Sequence, residues 1–289
     1  MSPTIKRLAS GLYILTAVLV FGYLLFPADP IKTYIVNQTG ARLPGYRVTI
    51  ENLVPRLPPA MKMSGVDIFH FNTHLISAAD FTLRPSLGSL FSSDKSYSFF
   101  GRLHQGTLNG KIKLQNGSQA ETYDLRTEIE GIDLTTLPAL ETWREQLTSG
   151  TLNGRLRYEQ RSAEPSLGAQ FNLSDVTVKL DIPVEKLDHL LFTSINADLE
   201  AEGSKLEIRQ CKFSGPQGEG QITGTIHLRN PRKASTLNLS GHFKPNPGLI
   251  MQLQGTLWGQ MLTARKGQAT AGYPFRIRGS AGAPQWQLR

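Results

Sequence analysis

The sequence has almost no cysteine and lacks the motifs that are typical of catalytic sites. It holds one cysteine, Cys211, in 289 residues, so no internal disulfide can form and the fold must depend on packing and hydrogen bonds. It contains no Gly-x-Ser-x-Gly elbow, no Gly-Lys-Ser/Thr phosphate loop and no Cys-x-x-Cys pair. His70 and His74 are four residues apart, but no third ligand or adjacent carboxylate completes a metal site. We therefore predict no catalytic residue, no metal, no cofactor and a protein that is not an enzyme.

Long apolar runs are equally scarce, and the longest lies near the N-terminus. Residues 8–26 carry no charge over about nineteen positions, and a helix of that length spans about 28 Å, close to the bilayer's hydrocarbon core of about 30 Å. We predict one transmembrane helix here. A cleaved signal peptide is the alternative, and we favour the uncleaved anchor because the bulky Phe26 before Pro27 and Ala28 makes a poor cleavage sequence.

The charges beside this run predict its orientation. Lys6 and Arg7 precede it, so the positive-inside rule places residues 1–7 in the cytoplasm. Residues 27–289 then form a periplasmic β-rich domain, and the protein is predicted to be a single-pass protein of a bacterial inner membrane.

Acidic residues are fewer than basic ones, 23 against 31, which gives a formal net charge of +8. The basic residues are scattered, without the dense runs or interleaved aromatics of a nucleic-acid-binding face. We predict no nucleic-acid partner. Attraction to anionic lipid headgroups or to an acidic partner stays open.

A glycine-containing strand pattern recurs along the chain. The segment 106–114 returns as 150–158 and, more loosely, as 220–228 and 255–261. Because strand side chains alternate between faces, each copy has one apolar face with glycine in its middle. Such glycines either let a sheet curve or leave a groove that accommodates lipid. The candidate groove-lining positions are Leu108, Gly110, Ile112, Leu152, Gly154, Leu156, Ile222, Gly224 and Ile226.

Further segments of period two recur about every ten to fourteen residues between turn formers, which predicts antiparallel meanders. The predicted fold is mainly β: after the membrane helix comes an elongated, curved antiparallel sheet, forming a groove or a partial barrel. One or two short helices pack on it. The first follows Asp133 as its cap and carries an apolar stripe to Leu147, and the second covers Val184 to Phe192.

Several segments resemble the type II secretion system protein N (GspN) family and the wider AsmA-like group. They are Leu53–Pro59, Met63–Ile68, Asp133–Leu140, Ser149–Gly154, Phe213–Pro216, Tyr273–Gly279 and Ala283–Leu288. The resemblance implies a non-enzymatic inner-membrane component of the general secretion pathway, which exports folded proteins across the outer membrane. Its partners would be other inner-membrane secretion subunits. AsmA-like proteins imply the alternative, a lipid-binding or phospholipid-transfer protein for envelope maintenance, with membrane lipid in an apolar groove.

Overall fold

The structure, a computed structural model, describes most of the chain. The described residues are 10–11, 13–14, 16–17, 20–21, 23–42, 45–56, 60–116, 121–160, 165–184, 187–256, 260 and 272–288. Among them, no helix combines the length and apolar character that crossing a bilayer requires. The predicted membrane helix at residues 8–26 lies partly outside the described residues, and Lys6 and Arg7 lie wholly outside them, so the anchor and its orientation stay predictions.

The described chain forms one open antiparallel sheet of fourteen strands, which confirms the mainly β prediction. The strands pair in chain order from β1 to β14, with β1 and β14 at opposite edges. Their bounds are Tyr46–Arg56, Ala60–His70, Thr73–Pro85, Lys95–Leu103, Gly106–Asn116, Glu121–Asp133, Leu147–Gln160, Ser166–Val184, Leu187–Glu202, Lys205–Gly215, Gly218–His227, Thr236–Pro245, Tyr273–Ser280 and Ala283–Leu288. The copies at 106–114 and 150–158 and residues 220–227 of the third therefore lie on strands, as predicted, whereas the copy at 255–261 lies partly outside the described residues and its Gly255 and Thr256 are not in a strand.

Two α-helices are described from end to end, α1 at Ala28–Arg42 and α2 at Pro247–Gln252, and the described residues between 10 and 24 are also helical. Short 3-10 turns occur at Leu87–Phe91, Leu134–Thr136, Pro138–Trp143 and Arg232–Ala234. Sequence analysis missed α1, whose signal was limited to Ala28, Ile31 and Ile35. These three residues have helical spacing and pack on the core of the sheet.

The helix predicted after Asp133 is wrong, although its cap is right. Asp133 accepts a hydrogen bond from the Thr135 backbone N–H at 2.9 Å, but the chain then forms two 3-10 turns, and Leu147 begins β7. Leu137 has φ −75° and ψ 117° because Pro138 disfavours the α conformation in the residue before it. Proline therefore divides the apolar stripe into two turns.

The second predicted helix is also wrong. Val184 ends β8, and β9 begins at Leu187 and continues past Phe192. Phe192 lies opposite Val176, within a β-branched run of β8 that supplies a well-matched cross-strand partner. Pairing with this strand overrides the weak helical spacing of the leucines.

One cluster of buried core residues lies under α1, at the β1 end of the sheet. It consists of Ile50, Leu53, Met63, Val66, Ala78, Leu103 and Ile132. Lys32 Nζ donates a hydrogen bond of 3.0 Å to the Glu51 carbonyl oxygen and so joins the helix to β1. The partly buried side chains packed on this core extend as far as Leu152 of β7, so the helix and turns cover about half of one face.

Two chemically different faces of the open sheet

One register row of the sheet is apolar or glycine on every strand. Residues that are direct cross-strand partners project on the same side of a sheet. Following the partners from β1 to β14 gives Leu53, Met63, Phe81, Gly101, Leu108, Ile129, Gly154, Phe171, Ala197, Cys211, Ile222, Gly241, Phe275 and Leu288. We call the side that carries this row the apolar face.

The apolar face brings together all nine groove-lining positions predicted from the repeats. Leu108, Gly154 and Ile222 belong to the row itself. The first two copies lie on β5 and β7, with β6 between them. Gly110 and Leu156 therefore both pair with Thr127 of β6. The remaining predicted positions alternate in register with these and project to the same side: Ile112, Leu152, Gly224 and Ile226.

Phenylalanine rings cover most of the glycines on this face. Five glycines have phenylalanine as their direct cross-strand partner, in the pairs Phe81/Gly101, Phe99/Gly110, Gly154/Phe171, Phe213/Gly220 and Gly241/Phe275. A Cβ atom at Gly154 would lie 2.6 Å from Phe171 Cδ1, and one at Gly241 would lie 2.7 Å from Phe275 Cζ. The rings therefore lie flat across the sheet where a side chain would otherwise stand. The sequence pattern predicted the glycines on this face but not the phenylalanine rings that pack over them.

Along β8–β11 the apolar face has little helical cover within the described chain, whereas Leu239, Tyr273 and Ile277 of the same face are buried at β12 and β13. The 3-10 turns and α1 contact β1, β3, β4 and β7, and no described helix makes more than an incidental contact with β8–β11. Phe171, Ile195 and Phe213 project from this part of the face and are half-buried, although all are apolar. A contiguous, partly exposed apolar surface is typical of a binding site for lipid or protein.

The opposite side, which we call the polar face, is charged. Asp80 lies between two cations: Lys62 Nζ contacts its carboxylate at 2.6 Å, and Arg102 pairs with its second oxygen. The hydrogen bond from Lys62, followed by that from Arg102, lowers the pKa of Asp80 below its usual value. Such cross-strand ion pairs keep this side of the sheet solvated.

A cavity of about 1220 Å³ lies against the polar face between β3 and β10. Its lining includes the ion pairs Arg155–Glu128, at 3.2 Å, and Arg209–Glu200. It also includes Phe100, an exposed aromatic side chain on the charged side of the sheet. Sequence analysis did not find this site, because its residues come together only through the strand register.

The two histidines considered as metal ligands, His70 and His74, instead contact side chains of neighbouring strands. His74 Nε2 lies 3.1 Å from Asp67 Oδ1, a carboxylate partner that sequence analysis missed because it belongs to the neighbouring strand. The His74 ring stacks on Phe69, and His70 contacts Tyr46. Among the described residues, no group of three or more His, Cys, Asp or Glu side chains could hold a metal ion.

The cysteine belongs to the apolar row. Cys211 is half-buried between its partners Ala197 and Ile222, and burial raises the pKa of its thiol. A thiol in apolar surroundings is protonated and a weak nucleophile at neutral pH. Cys211 therefore acts as a small apolar side chain of the face.

These features define an open antiparallel sheet with one apolar and one charged face, a class of architecture suited to binding. Comparison with protein-family models, with curated proteins and with solved structures finds no match to this chain.

Proposed function

We propose that this protein is a non-enzymatic, inner-membrane-anchored component of the type II secretion pathway, and that its sheet binds other subunits of that pathway. The observation that supports this function best is the open sheet itself, which has two unclosed edges and an apolar face with little helical cover along β8–β11 in the described chain. Unpaired strand edges and exposed apolar surface are the features through which proteins recruit partners. The segments that resemble protein N lie mainly on β1, β2, β7, β10, β13 and β14, so the resemblance reaches both edges of the sheet.

The β14 edge offers a specific place for subunit binding. Trp286 on this strand is 67% exposed and rests against Phe275 at a ring-centroid distance of 6.2 Å. Exposed tryptophan is among the commonest energetic anchors of protein interfaces. A partner strand added at β14 would bury this ring and complete the hydrogen bonding of the edge.

Affinity purification of the tagged full chain from envelopes in mild detergent tests this proposal. We expect mass spectrometry to recover inner-membrane secretion subunits, and Trp286→Ala to reduce their yield. Trp143→Ala is the matched control, because Trp143 is 59% exposed but lies on a 3-10 turn away from the edge. Recovery of no secretion subunit, by purification or by cross-linking in cells, would overturn the proposal.

Lipid binding is the second candidate function, and the apolar row favours it. Fourteen successive apolar or glycine positions, many of them half-buried from β8 onward, provide a surface along which acyl chains can lie. Each methylene removed from water contributes about 0.8 kcal/mol, so an acyl chain on this face would bind without polar contacts. In this function the protein would hold or pass phospholipid, and the anchor would keep the face close to the bilayer.

Lipid extraction from the purified full chain, followed by mass spectrometry, tests the second function. Ile195→Asp places a charge on the uncovered apolar face, whereas Asn196→Asp places the same charge one residue away on the polar face. We expect the first variant to lose bound lipid and the second to keep it, with circular dichroism confirming that both are folded. Equal lipid content in both folded variants, or none in the wild-type chain, would contradict this function.

A further inference from the structure

Four cations form a row across the polar face, next to Asp80 and its partners. Following direct cross-strand partners from β3 to β7 gives Arg84, Ser98, Lys111, Arg126 and Arg157. The positively charged members, Arg84, Lys111, Arg126 and Arg157, are here named the basic row, and all of them line the cavity. With neighbouring strands about 4.8 Å apart, the row extends over about 19 Å.

The register of the basic row costs stability. Lys111 is the direct partner of Arg126, and Arg126 is the direct partner of Arg157, and like charges directly opposite each other are destabilising. Acidic residues of the same strands offset part of this repulsion, since Asp124 lies 3.2 Å from Arg126 and Glu159 pairs with Arg157. These acids leave Arg84 and Lys111 uncompensated.

Arg84 and Lys111 are exposed and take part in no ion pair among the described residues. The β6–β10 part of the cavity differs, because its arginines at 155 and 209 pair across strands with glutamates. The uncompensated positive charge is therefore concentrated at the β3–β5 end of the cavity. It agrees in sign with the net charge of +8 of the whole chain.

An exposed aromatic ring lies beside these two cations. Phe100 is 39% exposed and is the direct partner of Thr82 and Asn109, one register row away from Arg84 and Lys111. A phenylalanine on a charged sheet face contributes nothing to the core on the other side. Arginine and aromatic side chains together are characteristic of the centre of protein interfaces.

We infer that the basic row is a docking site for an acidic segment of a partner protein, with carboxylates on Arg84 and Lys111 and an apolar side chain on Phe100. Arg84 and Lys111 lie two strands apart, about 10 Å, which corresponds to about three residues of extended peptide at about 3.3 Å each. That length, together with an aromatic anchor, favours a polypeptide over a single lipid headgroup. The inference goes beyond the proposed function and does not depend on which of the two functions holds.

The test uses the full chain in a neutral detergent and fluorescence anisotropy of a labelled peptide of alternating glutamate and leucine. The control peptide has glutamine in place of glutamate. We expect the acidic peptide to bind, the glutamine peptide to bind at least about tenfold more weakly, and the affinity to fall as sodium chloride is raised from about 0.05 M to about 0.5 M.

Matched variants locate the site. Arg84→Glu and Lys111→Glu should each weaken binding of the acidic peptide by about tenfold or more, and Phe100→Ala should weaken it several-fold. Arg278→Glu makes the same charge change at an exposed polar-face position of β13 outside the cavity, and should leave binding unchanged. Thermal unfolding establishes that each variant is folded, and Arg84→Gln and Lys111→Gln serve as milder substitutions.

Three results would overturn the inference. In the first, Arg278→Glu weakens binding as much as Lys111→Glu, so that only overall charge matters. In the second, neither peptide binds. In the third, the peptide fails to bind while phosphatidylglycerol-containing vesicles bind and lose that binding in Arg84→Glu and Lys111→Glu, which would make the row a lipid headgroup site.

Discussion

The glycine–phenylalanine pairs predict a specific packing penalty at Gly154. In Gly154→Ala the new Cβ would lie 2.6 Å from the Gln170 carbonyl oxygen and 2.6 Å from Phe171 Cδ1, closer than side-chain atoms are found in folded proteins. The ring can move, but the carbonyl belongs to the β7–β8 ladder and can move only if the two strands separate locally. Insertion of one methyl group into packed surroundings costs about 1–3 kcal/mol, and we expect a destabilisation in that range.

The measurement is urea unfolding of the full chain in detergent, with tryptophan fluorescence as the readout. Gly168→Ala is the matched control, because Gly168 lies on the next strand and a Cβ atom there would have no neighbouring atom within 4 Å. It should be neutral or more stable by up to about 1 kcal/mol, since alanine lowers the entropy of the unfolded chain. In Gly154→Ala/Phe171→Leu the smaller side chain should recover part of the loss. Equal stability of the two alanine variants would refute the role of the rings.

Three further predictions concern single side chains. The hydrogen bond from Lys62 lowers the pKa of Asp80 in the folded state, so the resulting stability is present above the unfolded value of 3.8 and is lost as the pH falls through the lower folded pKa. Asp80→Asn should therefore flatten the dependence of unfolding free energy on pH below about pH 4. Burial raises the pKa of Cys211, so its thiol should react with iodoacetamide more slowly in the native chain than in urea, and equal rates would contradict the burial. Asp133→Ala removes the hydrogen bond to the Thr135 N–H and should cost about 1 kcal/mol in urea unfolding, whereas Asp133→Asn should retain most of the stability.

The apolar face was predictable because its signal is local. Alternation within each repeat specifies which side of a strand is apolar, and Leu108, Leu152 and Ile222 indeed share one face. The errors also have local causes. Pro138 divided the predicted first helix into turns, and strand pairing opposite Val176 replaced the second. In both places the leucines have helical spacing, but proline or strand pairing determines the backbone conformation. Neither effect can be recognised from the spacing of the leucines.

The features that were missed depend on register between strands. Phe99 and Gly110 lie on the two consecutive strands of one hairpin, and only the register of the β4–β5 pairing places the ring over the glycine. The basic row joins residues from separate strands, so no short window of sequence contains it. Composition indicated only the excess of positive charge, and the location of that excess required the fold.

The continuity of the apolar face is not a simple consequence of strand alternation. Ile129 and Ile132 of β6 are three residues apart, so strict alternation would put them on opposite faces, yet both pack toward the core. The register shifts between them, and Gly131 takes the left-handed conformation, with φ +65°, which glycine adopts without strain.

A second shift, between Ile208 and Cys211 of β10, brings Cys211 into the apolar row beyond the region that α1 covers. The register shift of β6 lies under α1, where it turns an isoleucine toward the core. The register shift of β10 lies where no described helix packs, so it buries no side chain against a helix. The binding surface proposed along β8–β11 would account for this irregularity of β10.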